Sequence, residues 1–378
     1  MNNYIYLDNS STTKLSNRVL YKMMPYLTEY YGNASTPYEL GKISKKAINT
    51  SREKIAKMLN VLPEEIYFTG SGTEADNMAI CGIARANKEK GKHIITSKFE
   101  HLAVLNACKR LQDEGYDITY IDIKGNGIVD VKKLKEAIRP DTILISIMCV
   151  NNEIGTIQPI DEIANIAREN NVIFHTDAVQ AVPHMKIDAS KYDALSLSGH
   201  KFNGPKGVGA LYIKKGVNFE NILYGGHQEC TMRPGTENVA GIVGMASALE
   251  YTQENLMFNN EKEEKLRNYL MSKLENIPGF CINGDLDKRV GSNLNFYFEN
   301  IDSDELKLFL EMNGICVSGG SACNSNVKEL SHVLKSIGKE KSSIRISLSA
   351  KNTFFEMDKV AYTIKKYIDL VNKKQAKK

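Results

Sequence analysis

A lysine stands beside a histidine in a glycine-rich turn that follows the apolar run 194–197. The turn reads Ser198, Gly199, His200, Lys201. A lysine amine in such a setting can lose its proton and form a Schiff base with an aldehyde cofactor. Enzymes most often hold pyridoxal phosphate in this way, and this cofactor stabilises carbanions at the α-carbon of amino acids. Lys201 is therefore a candidate for attachment of pyridoxal phosphate, with a solvated surface lysine as the alternative.

A carboxylate and an amide follow another apolar run, at 172–176. Asp177 can pair with a protonated pyridine nitrogen, which keeps such a cofactor electron-poor. Gln180, three residues later, can donate to the phenolic oxygen of the ring. The competing interpretation of Asp177 is a helix N-cap, a common use of aspartate after a strand.

Three further turns carry polar groups after predicted strands. The turn 69–74 contains Gly72 and Thr73 at a predicted helix start, where free N–H groups suit a phosphate. His101 can stack on a cofactor ring and exchange protons, and Asn152 can orient a substrate or a ring substituent. An ordinary capped turn and a structural histidine are the alternatives, but loops at successive strand ends predict one binding site.

Two candidates lie in the second half of the chain. Cys323 ends a run of small residues, 318–323, that leaves a thiol accessible, which is the condition under which cysteine reacts. Arg345 lies among apolar neighbours in a predicted strand, where a guanidinium can clamp a substrate carboxylate. A buried cysteine and a structural salt bridge are the respective alternatives.

The elements that must position these residues alternate between strand and helix from about 65 to 215. Near-continuous apolar runs separated by amphipathic helices predict an α/β domain with a mostly parallel sheet covered on both faces. Beyond about 250, short strands and charged helices predict a smaller α+β domain. We assign 15–250 to the large domain, and 1–14 with 251–378 to the small domain that carries the cysteine loop.

The 378 residues have a formal net charge of +4 and no basic block before the terminal lysines, so we expect no direct nucleic-acid binding. No run of about 18 apolar residues occurs, which excludes a membrane-spanning helix. The seven cysteines form no C-x-x-C pair, and we expect no metal site. Their odd number and the absence of a leader predict a cytoplasmic protein.

Together these residues resemble the NifS/IscS-type cysteine desulfurases, pyridoxal-phosphate enzymes with the class V aminotransferase fold and its seven-stranded type of sheet. The resemblance covers nearly the whole chain. Its motifs are 6–13, 32–35, 68–77, 100–101, 150–155, 177–180, 198–201, 233–238 and 319–323, with Arg345 near the end.

The resemblance implies a role for each matching residue. Lys201 holds the cofactor and removes the α-proton, Asp177 and Gln180 bind the ring, and His101 stacks on it and moves protons. Gly72, Thr73, Ser198 and His200 hold the phosphate, and Thr236 reaches the phosphate site of the other subunit of a homodimer. Asn152 and Arg345 position L-cysteine. Cys323 takes its sulfur as a persulfide and passes it to an acceptor protein, while alanine is released.

Two departures from the family pattern bear on these expectations. The phosphate turn has Gly72 where many relatives have alanine, which we expect to be tolerated. The chain stops soon after the predicted helix 353–371, whereas housekeeping relatives carry a longer tail that docks the iron–sulfur scaffold. The acceptor is therefore either that scaffold or a protein of tRNA or cofactor thiolation. A selenocysteine lyase, an aminotransferase and a catalytically silent binding scaffold are the alternative functions.

Overall fold

Seven strands form the central sheet in a computed structural model that describes residues 4–319 and 330–376. Their order is β2-β8-β7-β6-β5-β3-β4, and β8 alone runs antiparallel to its neighbours in this sheet. The strands are β2 Ile66–Thr69, β3 His93–Ser97, β4 Asp117–Ile121, β5 Thr142–Ser146, β6 Ile173–Asp177, β7 Ala194–Ser198 and β8 Gly209–Ile213. Because the other six strands are parallel, the residues that follow them meet at one edge.

Helices cover both faces of this sheet. Side chains alternate between the two faces of a strand, so the neighbours Ile94 and Ile95 belong to separate apolar clusters. Up to residue 254, the described helices are α1 Asn17–Met23, α2 Pro25–Thr28, α3 Glu39–Leu59, α4 Gly72–Ala86, α5 Leu102–Asp113, α6 Val131–Glu136, α7 Ile160–Glu169 and α8 Val239–Glu254. Strands buried on both faces explain why the sequence shows continuous apolar runs instead of alternation.

A third apolar cluster contains residues from both ends of the chain. It is built on an antiparallel sheet in the order β12-β10-β9, and on a two-stranded parallel pair of β1 with β11. These strands are β1 Ile5–Tyr6, β9 Phe280–Ile282, β10 Asn293–Phe298, β11 Ile315–Cys316 and β12 Ile344–Ser347. The helices of this part are α9 Leu256–Leu274, α10 Ser303–Met312 and α12 Phe354–Gln375. The short helix α11 His332–Ser336 instead packs Val333 and Leu334 into an apolar cluster of the central sheet. The domain boundaries at 14/15 and 250/251 stay a prediction.

The predicted elements and the observed ones differ mainly at their ends. The last helix extends to Gln375 instead of ending at 371. Over the ranges 4–319 and 330–376, we find no helix that is both long and apolar enough to cross a membrane.

Candidate active site

A cavity of about 770 Å³ opens where the parallel strands of the central sheet end. Ten of the twelve residues that the sequence singled out line it: Gly72, Thr73, His101, Asn152, Asp177, Gln180, Ser198, His200, Lys201 and Arg345. The other two are Thr236, which lies elsewhere on the surface, and Cys323, which is outside the described residues. The fold therefore brings together side chains that are up to 273 positions apart, from Gly72 to Arg345.

Lys201 lies in a single turn of 3-10 helix, Gly199–Lys201, directly after β7. Its Nζ donates to the main-chain oxygens of Ser10, at 2.7 Å, and Ser11, at 2.8 Å. The N-terminal segment is itself held on this turn, because the Thr13 hydroxyl donates to the carbonyl oxygen of His200 at 2.8 Å. The amine is thus fixed at the cavity wall.

Asp177 is the last residue of β6, and its side chain is buried. Its Oδ1 accepts from the main-chain N–H of Val179 at 2.8 Å, in a turn that no helix continues, so the N-cap interpretation is wrong here. Burial raises the pKa of Asp177, while the nearby His101 and Lys201 oppose that rise. A protonated pyridine nitrogen beside it would favour the carboxylate further, as pairing with opposite charge does.

Two carboxyl groups lie together under the cavity floor, and the sequence did not single out the second. Asp76 lies one helical turn after Gly72, on the buried face of α4, and it is 1% exposed. Burial and the neighbouring Asp177 raise the pKa of Asp76 well above its ordinary value. Its position four residues after a phosphate-turn glycine is the one sequence signal that could have found it.

The start of α4 has main-chain N–H groups that can bind a phosphate. Ser71 is the N-cap, and its hydroxyl accepts from the N–H of Glu74 at 3.1 Å. The Glu74 carboxylate accepts from the N–H of Gly70 at 3.0 Å and not from that of Ser71, so the two residues form no complete capping box. A Cβ on Gly72 would lie 3.2 Å from the Cβ of Ser198, so this helix start packs closely against the end of β7.

His101 is the N-cap of α5, and its Nδ1 accepts from the N–H of Ala103 at 3.2 Å. In the neutral ring the proton is therefore on Nε2. Burial lowers the pKa of His101, Asp177 raises it, and Lys201 and His332 lower it again. We expect a neutral imidazole at pH 7, which can both accept and return a proton.

Arg345 enters the cavity from β12 of the small sheet and is 2% exposed. Its Nη2 donates to Asp8 Oδ1 and to Ser11 Oγ, each at 2.7 Å. Its Nη1 donates to the main-chain oxygen of Asn152 at 3.0 Å. The sequence left open whether this arginine is a clamp or a salt bridge, and the structure shows the salt bridge to Asp8.

The described residues on both sides of 320–329 are bonded to residues that line this cavity. On one side, the main chains of Ser318 and Arg345 exchange two hydrogen bonds, of 2.7 and 3.2 Å. On the other side, the Ser331 hydroxyl donates to Glu153 Oε2 at 2.6 Å, and Ser331 lines the cavity. Ser318 and Ser331, which precede and follow Cys323 in the sequence, therefore both bond to residues that line the candidate site.

Comparisons with known proteins give this fold and site a family. The family model described as aminotransferase class-V matches residues 5–360, so the chain belongs to that family. A cysteine desulfurase IscS of Methanosarcina thermophila is 51% identical over 365 residues, covering 95% of this chain and 90% of that protein. A cysteine desulfurase IscS of Clostridium botulinum is 48% identical over 377 residues, covering 97% of this chain and 95% of that protein.

A solved structure agrees with these relatives. A NifS-like protein superposes with a TM-score of 0.92 at 36% identity, over 97% of this chain and all of that one. The predicted fold class and the predicted cysteine desulfurase family are confirmed. The family's cofactor is pyridoxal phosphate. The residues present fit this cofactor, since an amine, a buried carboxylate and a free helix start line one cavity.

Proposed function

We propose that this protein is a pyridoxal-phosphate-dependent desulfurase that takes sulfur from L-cysteine, releases L-alanine and carries the sulfur on Cys323. The observation that supports this proposal is that side chains from the central sheet and from the small sheet line one cavity. Lys201 and Asp177 come from the central sheet, and Arg345 comes from the small one. An aminotransferase needs the groups from the central sheet and has no use for a cysteine beside them, so the flanks of the Cys323 segment favour sulfur chemistry.

The cofactor would be held by the groups already described. Lys201 would bind its aldehyde carbon, Asp177 its pyridine nitrogen, Gln180 its ring oxygen and His101 its ring face. Gly72, Thr73, Ser198 and His200 would hold its phosphate. When bound, pyridoxal phosphate stabilises the electron pair left at the α-carbon of the amino acid. The carboxyl groups of Asp177 and Asp76 both line the cavity, and a cationic ring nitrogen beside them would favour a carboxylate there.

The chain's own residues divide the remaining work. Arg345 binds the carboxylate of cysteine, and Asn152 lies beside it. Lys201 accepts the α-proton, and His101 moves the proton at the sulfur. The Cys323 thiolate attacks the substrate sulfur, so an S–S bond forms and the Cβ–S bond breaks. The electron pair of that bond stays on the carbon skeleton, which takes up protons and leaves as alanine.

The test is incubation of the purified holoenzyme with L-cysteine, with alanine and protein-bound persulfide as readouts. We expect one extra sulfur on Cys323 by mass spectrometry and alanine formed in proportion to sulfur released. Cys323→Ala should abolish persulfide and sulfide while cysteine still changes the cofactor absorbance. Cys281→Ala, in strand β9, is the matched control. Sulfide release retained by Cys323→Ala would refute the persulfide mechanism.

We propose further that the enzyme is a homodimer in which Thr236 completes the partner subunit's phosphate site. Thr236 is exposed and does not line the cavity of its own chain. Mixed dimers of Lys201→Ala and Thr236→Ala chains test this at limiting cofactor. If Thr236 acts across the interface, each mixed dimer has one intact site and activity returns. If Thr236 acts within its own chain, every site keeps one defect and no activity returns.

We also propose that Cys323 passes its sulfur to an acceptor protein, either an iron–sulfur scaffold or a thiolation protein. The support is the run of small residues, 318–322, that precedes Cys323 in the sequence. Persulfide labelled with radioactive sulfur should move to the correct purified acceptor and should stay on Cys323 with an unrelated thiol protein.

A further inference from the structure

His332 is a second imidazole at the cavity wall. It is the first residue of α11 and lines the cavity together with His101. Its Nε2 lies 2.9 Å from the main-chain oxygen of Glu100. A carbonyl oxygen can only accept, so Nε2 of His332 carries the proton and donates.

The acceptor, Glu100, directly precedes His101 and ends the turn between β3 and α5. Its side chain is fully buried, and its carboxyl group accepts from the Ser97 hydroxyl and from the N–H of Met148 at 2.9 Å. Glu100 is thus held through its side chain by the central sheet and through its carbonyl by His332. The main chain directly before His101 is therefore held by both the central sheet and His332.

The helix that carries His332 has an anchor of its own. The Ser331 hydroxyl donates to the buried Glu153 carboxylate at 2.6 Å and accepts from the N–H of Val333 at 3.1 Å. Since this anchor does not involve the imidazole, loss of the His332 hydrogen bond should leave α11 in place. The bond from His332 therefore acts on the turn 98–101 and not on its own helix.

We propose that His332 is a positioning residue for His101, acting through its Nε2–H bond to the Glu100 carbonyl. This inference rests on the proposed function, in which His101 moves the proton at the sulfur. Proton transfer tolerates little error in position, because displacements of about 1 Å can lower a rate by about a hundredfold. A loosened turn would therefore reduce the rate of sulfur transfer, while Arg345, which comes from the small sheet, still binds cysteine.

Two variants of the holoenzyme test the donor directly. His332→Phe keeps a planar ring and removes the donor, whereas His332→Gln keeps an N–H near the position of Nε2. We expect about a tenfold lower kcat in His332→Phe, with an unchanged KM for cysteine, and less than a twofold change in His332→Gln. Ser336→Ala is the matched control, because its hydroxyl bonds only within α11, to the Val333 carbonyl.

Histidine NMR supplies a readout that does not depend on turnover. The protein has seven histidines, so the ring signal of His101 in protein labelled at histidine can be assigned by substitution. We expect this signal to shift or broaden in His332→Phe and to keep its wild-type position in His332→Gln. If the wild-type protein made no persulfide and the two variants still showed these signals, the positioning role would be supported and the proposed function refuted.

Two results would overturn the inference. If His332→Gln lost as much activity as His332→Phe, the imidazole would act as an acid or base and not as a donor to Glu100. If the His101 signal and kcat were unchanged in His332→Phe, the hydrogen bond would have no part in positioning His101.

Discussion

Replacement of Arg345 by lysine tests how the site recognises its substrate. The guanidinium is 2% exposed and already spans Asp8, Ser11 and the Asn152 carbonyl through two nitrogens. Lysine keeps the positive charge near Asp8, so no buried carboxylate loses its counter-charge. What lysine cannot do is bind several acceptors in one plane, because its ammonium is a compact point charge.

The expected loss of cysteine affinity follows from the hydrogen bonds that the guanidinium would make to the substrate carboxylate. A cysteine carboxylate that shares this guanidinium would gain at least one charge-assisted hydrogen bond, worth about 1.5–3 kcal/mol. Since each 1.4 kcal/mol is a factor of about ten, Arg345→Lys should weaken cysteine binding by about 10- to 150-fold. The rate at saturating cysteine should fall much less, because the bond is present before and during the reaction.

Cysteamine makes the assay specific for the carboxylate. It has the amine and the thiol of cysteine and lacks the carboxylate, so it cannot lose a bond to Arg345. We therefore expect Arg345→Lys to weaken cysteine binding, measured by cofactor absorbance, and to leave cysteamine binding within about twofold. Thermal unfolding of the variant, with Arg267→Lys as a control at another buried arginine, checks that the fold is intact.

An equal loss for both ligands would refute the clamp. Arg345 would then act only by tying Asp8 on the N-terminal segment to the Asn152 turn, as the observed hydrogen bonds do without any substrate.

Two predictions concern stability. Burial raises the pKa of Glu100 to about 8, whereas this carboxyl group titrates near pH 4.5 in the unfolded chain. Between these two pH values the folded protein holds a proton that the unfolded chain has released, so the free energy of unfolding falls as the pH rises. Glu100→Gln should therefore flatten the pH dependence of urea unfolding by on the order of 4 kcal/mol between pH 5 and 8, and an unchanged slope would contradict the neutral carboxyl. Glu229, Cys230 and Thr231 all have positive φ, of 47, 55 and 71°. Thr231→Gly should raise the free energy of unfolding by about 1 kcal/mol, because a left-handed threonine is strained, and Thr231→Ala, which keeps a Cβ, should gain much less.

Where the signal was local, the sequence predicted which residues would line one cavity. Lys201, Asp177 and His101 each follow an apolar run, and parallel strands bring such positions to one edge. The type of residue and its place after a strand were enough, and neither depends on the rest of the chain. The interpretation of Asp177 as an N-cap failed for a reason that was also local, since a turn and not a helix follows it.

The partners of these residues could not be predicted in the same way. Lys201 is held by the carbonyl oxygens of Ser10 and Ser11, about 190 positions away, and a carbonyl has no residue type that marks it. Glu100 and His332 are ordinary polar residues in the sequence. Their importance comes from a hydrogen bond across 232 positions.

By itself, then, the sequence determined which chemical groups the protein has and which strand ends carry them, because both are properties of short segments. Only the tertiary structure decided what surrounds those groups. It raised the pKa of Asp76 through burial beside Asp177, and it placed Arg345 in a salt bridge with Asp8. Burial and the distance between charges control these energies, and both arise when segments far apart in the chain pack together.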